Sequence, residues 1–423
     1  MSLTQRILIA MLAGLVLGGV FNILLGIDSL PAALRSFIEQ GLVMGLFDTV
    51  GQIFVRSLRL LVVPLVFVSL VLGTASLGKN SRMGLMAGKT IGLYLMTTCI
   101  AISLALLASS IIKPGVGMLD AAATFTGSEA PSLKQTIINI FPTNPIQAMA
   151  DGNMLQIIIF SILMGIALSR IGEAGEVVYR VFESLDAVIM RMVLILIHLA
   201  PYGIFALLTK LFTQLGYEAL WKLIFYVFTF VLVLILHLTL VYGGLVKFVA
   251  KLNPIKFLSN VRPAMVFAFS TASSAATLPV TLRTAEKRLG VDNSVGSFVL
   301  PLGATINMDG TAIMQGVATA FIAQAYGIDL SFTDYLMVIL TATLASIGTA
   351  GVPGVGLIML SMVLDQVGLP VEGIALIIGV DRLLDMLRTS VNIAGDSMVA
   401  TLVSKSEGLF NKEIFEETSD TQV

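Results

Sequence analysis

Six apolar runs dictate most of what this 423-residue chain can become: Ile7–Leu25, Leu42–Leu77, Gly88–Ile112, Met154–Leu168, Ala187–Leu208 and Leu220–Val249. A bilayer core of about 30 Å is crossed by about 20 apolar helical residues. All but the fourth run are near or above that length. Lipid offers no partner to backbone N–H and C=O groups, so such runs are read as membrane helices. The first run follows Arg6 and superficially resembles a signal peptide. It is long enough to span and many spans follow, so it reads as an uncleaved first helix. Composition agrees: 57% of residues are hydrophobic and 12% charged, against roughly 25% charged in an ordinary soluble domain. A net charge of −1 supplies no basic footprint for nucleic acid. Cys99, the single cysteine, cannot form an intramolecular disulfide. His198 and His237 are too few and scattered for a histidine metal site and read as packed or interfacial residues.

Basic residues set the orientation. Lys79, Arg82 and Lys89 cluster in one loop, Arg170 and Arg180 in a second, and Lys247, Lys251, Lys256 and Arg262 in a third. The intervening loops hold only Lys113 and Lys134, then Lys210 and Lys222. The positive-inside rule makes the clusters cytoplasmic, which places both termini inside and requires an even number of spans.

The last third has a different grammar. Val261–Phe269 is a short apolar run followed by the small, polar stretch Ser270–Thr277 and a second short run from Leu278. Tyr335–Ala345 is followed by the Gly/Pro-containing stretch Ser346–Gly356 and then by Leu357–Leu364. Neither half of either pair can span alone. Two half-length runs around such a tip have the form of a re-entrant hairpin, whereas loops between full helices would leave backbone groups unsatisfied in lipid. Each hairpin precedes a longer segment interrupted by polar residues: Asn307–Thr311 after the first, and Asp381 to Asp396 after the second. Interrupted segments in corresponding positions point to a transporter binding site at the membrane midplane.

Ile377–Val403 carries Asp381, Arg382, Asp385, Arg388, Thr389, Asn392 and Asp396. At 100° per residue, Asp381, Asp385, Arg388, Asn392 and Asp396 fall within an arc of about 80°. Facing lipid, the four charges on that stripe would cost on the order of 10 kcal/mol. They therefore face protein or a wet cavity. One reading is an internal network in which Arg388 locks Asp385. Three carboxylates against one guanidinium favour another, in which bound Na⁺ or a ligand amine supplies the missing positive charge. Asp309 adds a further carboxylate beside Asn307 and Gly310. A helix broken there would offer carbonyl, amide and carboxylate oxygens, the ligands that hard cations prefer.

These residues carry a resemblance. Leu302–Ala312, Ser346–Gly354 and Asp385–Asp396 are similar to the motifs of the dicarboxylate/amino acid:cation symporter family, which includes archaeal aspartate transporters and the animal excitatory amino acid transporters. The likeness covers nearly the whole chain in segment order and is most specific from about Asn260 to Glu407. It implies an all-α membrane protein of eight transmembrane helices plus two re-entrant helical hairpins, assembled as a homotrimer. A trimerisation scaffold would hold a transport domain that moves across the bilayer as an elevator. Residues 1–85 and 116–217 would be scaffold. Residues 86–115 and 218–410 would be transport domain, with hairpins at about 255–290 and 333–367, and 411–423 a cytoplasmic tail. The protein would sit in the cell's inner (plasma) membrane.

The same resemblance implies residue roles. Arg388 would pair with the substrate's side-chain carboxylate, assisted by Thr311, and Asp385 would take the amino group, with Thr389 beside it. Asn392, Ser273 and Ser274 would hold the α-carboxylate. Gly351 and Val352, at the second hairpin tip, would give backbone contacts and act as a gate. Gly303, Asn307, Asn392 and Asp396 would form one Na⁺ site. Thr305 and Met308 with Ser346, Ile347 and Thr349 would form another, through carbonyls. Asp309 with Asn307, Tyr94, Thr97 and Thr98 would form a third. Without the resemblance, the last three residues read as ordinary helix packing.

Some archaeal relatives carry arginine in the first hairpin tip, and animal relatives carry one just after the aspartate of the last helix. Here those positions are Ala272 and Met386, and the extra guanidinium is Arg382, which lies beside the stripe and is expected to reach Asp385 or a hairpin carbonyl. Proton-coupled members lack the last carboxylate. Asp396 therefore predicts Na⁺ as the coupling ion, with no organic cofactor. Aspartate or glutamate satisfies both Arg388 and Asp385, whereas a C4-dicarboxylate satisfies only Arg388. The alternatives are a proton-coupled glutamate or C4-dicarboxylate symporter and, more remotely, an ion channel or an intramembrane enzyme. The enzyme reading would rest on Asp381 and Asp385 alone, with no accompanying nucleophile, histidine cluster or cofactor motif.

Overall fold

The computed structural model describes residues 3–76, 83–117, 138, 141–216, 218–347 and 354–417. Among these the chain is helical throughout, with no strand. Three helical stretches are long and apolar enough to cross a membrane: Gln5–Leu25, Leu85–Ile112 and Leu223–Val249. They coincide with the first, third and sixth apolar runs. They lie within α1 (Leu3–Leu25), α4 (Met83–Ile112), and α8 (Glu218–Leu236) with its continuation.

Two runs expected to be continuous are broken. Leu42–Leu77 becomes a π-helical turn sequence, Phe37–Phe47, then α2 (Asp48–Leu60) and α3 (Val62–Ser76). Ala187–Leu208 becomes the end of α6 (Glu176–Ile197) and the start of α7 (Ala200–Leu215). The reason is the same in both. Pro64 and Pro201 lack the N–H for an i→i−4 bond, and each ring crowds the carbonyl four residues back, at positions 60 and 197. The α-helix is interrupted at Leu61 and at His198–Leu199. α5 (Met154–Arg170) accounts for the short fourth run.

Two packed helix pairs occupy the stretches expected to form the hairpins. α9 (Pro254–Thr271) and α10 (Ser274–Lys287) pack against one another across a tip at Ala272, whose φ of 50° turns the chain through the left-handed region. α13 (Phe332–Ile347) and α14 (Val355–Gln366) form the second pair. Its tip, with Thr349, Gly351 and Val352, lies outside the described residues, as do Lys79, Arg82 and Lys134. Between the hairpins, α11 (Asn293–Ile306) and α12 (Asp309–Ala325) are separated at Asn307–Met308. The Asp292 carboxylate caps α11 by accepting from Ser294 Oγ and N, bonds that hold its carboxyl below the usual carboxylate range.

α15 (Ile374–Ser406) is the hub. α9, α10, α11 and α12 pack directly on it, and α4 lies against α12 and α13. α1 packs on α7, and α3 on α5 and α6. At the C-terminal end of α15 Lys405 Nζ donates to the Ala250 carbonyl, and Lys89 pairs with Glu407 at 2.6 Å. Asn260 Nδ2 ties the base of the first hairpin together by donating to Arg288 O at 2.8 Å and Phe415 O at 3.0 Å. Residues just beyond 410 are thus docked on the first hairpin rather than trailing from it.

Candidate solute and cation site

α15 carries the charged stripe through 33 residues without a break. Asp381, Asp385, Arg388, Thr389, Asn392 and Asp396 are all buried. Arg388, only 1% exposed, donates from Nη1 to Asp381 Oδ1 at 2.8 Å and from Nε to Asp385 Oδ1 at 2.9 Å. Its Nη2 lies 2.9 Å from that same Asp385 oxygen. Gly354 N donates to Asp385 Oδ2 at 3.2 Å, and Arg382 Nη1 stands 3.6 Å from it. Arg382 therefore reaches Asp385, as its position beside the stripe suggested. Thr389 Oγ1 donates to the Asp385 carbonyl at 2.7 Å. This half of the stripe is the internal ion-pair network, with Arg388 shared by two carboxylates.

The second hairpin closes on that network through backbone. A Cβ added at Gly356 would stand 2.8 Å from Arg388 Nη2, so a side chain there would press on the guanidinium that α14 lies against. The first hairpin approaches from the other side, where Ser390 Oγ donates to Met265 O at 2.9 Å. Ser273 Oγ accepts from Ala276 N at 3.2 Å as the cap of α10, and Ser274 is buried beside it. Thr311 is buried in the first turn of α12.

The other half of the stripe meets the break between α11 and α12. Asn392 Oδ1 accepts from Gly310 N at 2.7 Å, and its Nδ2 lies 3.3 Å from Met308 Sδ. Asn307 Nδ2 donates to Asp396 Oδ1 at 2.9 Å. Asp396 Oδ2 and Asn307 Oδ1 are both buried without a hydrogen-bond partner. Buried polar atoms are rarely left so, because each costs about 1–3 kcal/mol. A Cβ at Gly303 would stand 2.6 Å from Tyr94 Oη and against the Asp396 carboxylate. The absent side chain leaves this corner lined by oxygen. Ser346 Oγ donates to the Ile306 carbonyl at 2.7 Å, holding α13, which ends at Ile347, to the last turn of α11. The Thr305 side chain is exposed and donates to Leu302 O at 2.9 Å.

Asp309 forms a separate buried centre. Thr98 Oγ1 donates to its Oδ1 at 2.6 Å; Tyr242 Oη donates to Oδ2 at 2.8 Å, and His237 Nε2 stands 3.1 Å from Oδ2. Of the three α4 residues singled out in the sequence, only Thr98 touches the carboxylate. Tyr94 Oη donates to Val299 O at 3.0 Å and Thr97 Oγ1 to Tyr94 O at 3.1 Å. Asn307 bonds to Asp396 rather than to Asp309. Among the described residues, no lysine or arginine pairs with Asp309 or Asp396. His237 and Tyr242 are the residues that sequence reasoning did not bring to the site. Five residues apart, they would splay by about 140° on an α-helix. The chain is π-helical over His237–Tyr242, and its i→i+5 bonding brings both onto one side, with ring centroids 4.6 Å apart.

The model of the sodium:dicarboxylate symporter family matches residues 3–406. The chain is 34% identical over 421 residues to a proton/sodium-glutamate symport protein of Bacillus caldotenax, covering 97% of this chain and 96% of that one. It is 34% identical over 430 residues to a proton/glutamate-aspartate symporter of Escherichia coli, covering 97% and 94%. Excitatory amino acid transporter 3 of Mus musculus is 35% identical over 411 residues, covering 84% of this chain and 78% of that one.

Proposed function

The chain belongs to the sodium:dicarboxylate symporter family, and on that premise we propose that it is a secondary active symporter carrying aspartate or glutamate inward with Na⁺. The observation that carries the solute reading is the buried pair Arg388–Asp385. An acidic amino acid can take over both partners at once. Its side-chain carboxylate replaces Asp385 on the planar, two-pronged guanidinium, and its ammonium replaces Arg388 on Asp385. Each buried charge keeps a counter-charge through the exchange, which a buried pair requires. A C4-dicarboxylate would satisfy Arg388 and leave Asp385 facing a second carboxylate. Asn392, Ser273 and Ser274 take the α-carboxylate, with the capped N-terminus of α10 favouring an anion. Thr311 and Thr389 complete the pocket, and Gly351 and Val352 would be its gate, as the family resemblance implies.

Na⁺ fits the two carboxylates that, among the described residues, have no lysine or arginine partner. Asp396, Asn307, Asn392 and the Gly303 carbonyl offer the oxygen set of one site, supported by the unpartnered Asp396 Oδ2 and Asn307 Oδ1. Asp309 with Thr98, Tyr94, Thr97 and Asn307 offers a second. The carbonyls of Thr305, Ser346, Ile347 and Thr349, with Met308, offer a third. A bound cation supplies each buried carboxylate with its missing counter-charge, so occupancy and solute binding are linked.

Transport then requires moving this loaded core. The packing of α4 and α8 to α15 around one hub, and of α1 on α7 and α3 on α5 and α6 with α2 between the two groups, supports residues 86–115 and 218–410 as an elevator domain. Residues 1–85 and 116–217 would form the trimerisation scaffold of a multi-pass inner-membrane protein, with eight transmembrane helices, two re-entrant hairpins and both termini cytoplasmic. In proteoliposomes, aspartate uptake is expected to follow an imposed Na⁺ gradient at constant pH and to resist competition by succinate. The names of the two bacterial relatives favour proton coupling as the second reading. Uptake that ignores Na⁺ and follows a pH gradient would establish that reading instead. Arg382, 13% exposed and 3.6 Å from Asp385, is a weak partner of the pocket. Arg382→Ala is expected to shift half-saturating aspartate by several-fold with Na⁺ dependence unchanged, and an unshifted value would remove Arg382 from the pocket.

A further inference from the structure

We propose that His237 is the fixed anchor of Asp309, and hence a positioning residue for the cation bound there; the inference rests on the Na⁺ reading above. Asp309 is fully buried and both of its oxygens are in use: Oδ1 by Thr98 and Oδ2 by Tyr242 and His237. These three partners differ in what they can do. The Thr98 and Tyr242 hydroxyls can turn and present a lone pair, since a hydroxyl both donates and accepts. The imidazole cannot. With a proton on Nε2 it is only a donor toward the acceptor-only carboxylate, and its Nδ1 is buried without a partner. His237 therefore pins Oδ2, while the Thr98 hydroxyl on Oδ1 is free to rotate toward an incoming ion.

A ring N–H satisfies the hydrogen bonding of Oδ2 and fixes the direction in which the carboxylate points. The ring is itself held in place. The π-helical turn that carries it stacks it edge-on against Tyr242 at 4.6 Å and 70°. Groups that orient a metal ligand in this way change metal affinity by about 10- to 100-fold when removed.

The test is a thermal-shift titration of purified protein with NaCl, choline chloride holding ionic strength constant, alongside aspartate binding at saturating Na⁺. His237→Leu is expected to raise the Na⁺ concentration for half-maximal stabilisation at least tenfold, with half-saturating aspartate at saturating Na⁺ nearly unchanged. His237→Gln, whose amide N–H can replace Nε2–H, is expected to stay within about threefold of the parent. Tyr242→Phe, which removes the other donor to Oδ2, is expected to shift the midpoint in the same direction by less, and it decides the matter should His237→Leu not fold. A folded His237→Leu protein with the parent's Na⁺ midpoint overturns the proposal. So does His237→Gln displaced as far as His237→Leu, because packing alone would then explain the effect, and so does an unmoved Tyr242→Phe when His237→Leu does not fold. A parent protein that Na⁺ does not stabilise at all overturns the Na⁺ reading itself, and the role of His237 with it.

Discussion

Arg388→Ala is expected to abolish aspartate and glutamate uptake and to lower thermal stability in the same step. The guanidinium is the shared partner of Asp381 and Asp385, and its loss leaves both carboxylates buried opposite nothing but the more distant Arg382. Removing one partner of a buried ion pair costs about 3–5 kcal/mol. On the binding side, forfeiting about 4 kcal/mol corresponds to roughly a thousandfold in affinity. The two effects separate in a second variant. Arg388→Ala combined with Asp381→Asn removes one stranded charge, so part of the lost stability is expected to return while acidic amino acids remain unbound. Arg388→Lys is expected to fail nearly as badly for transport, because a point charge cannot replace a planar fork that addresses two carboxylates. Calorimetric titration with aspartate and a thermal melt of each variant check these outcomes. Parent-like aspartate affinity in Arg388→Ala would mean that the solute is recognised elsewhere.

Asp396→Asn is expected to do the reverse: keep the fold and lose the ion. The new amide has the shape of the carboxylate and a donor that can meet the unpartnered Asn307 Oδ1. A buried negative charge without a basic partner is removed, so the melting temperature without Na⁺ is expected to hold or rise. Stabilisation by ligand is worth about 2.7 kcal/mol at one hundred times its dissociation constant; that increment from this site is expected to vanish. Gly303→Ala reaches the same endpoint by volume, because its Cβ would stand 2.6 Å from Tyr94 Oη and against Asp396. Melts across a NaCl series, together with Na⁺-driven aspartate uptake, check both variants. Undiminished Na⁺ stabilisation in Asp396→Asn would exclude this corner as a coupling site.

The two centres differ in how much of them a reader of the sequence can see. Asp381, Asp385, Arg388, Asn392 and Asp396 share one helix, so a fixed rotation per residue places them on one face before any tertiary contact forms. The hairpins were legible for a related reason: half-length apolar runs around small residues have few ways to satisfy their backbone in lipid. The ends of the spans were less legible. Pro64 and Pro201 break runs that hydropathy alone treats as continuous, because hydropathy sums side chains and takes no account of a missing N–H.

Composition and the period of one helix dictate the membrane class, the charged stripe and the excess of carboxylate that calls for cations. How those charges are shared depends on packing between helices. It gives Arg388 to Asp381 and Asp385 together and leaves Asp396 with an open oxygen. It also brings His237 and Tyr242, more than 60 residues earlier in the chain, onto Asp309. That last contact is made through a π-helical turn, which the apolar run of the sequence does not mark. A lone histidine in an apolar run therefore reads as packing until the carboxylate it faces is known.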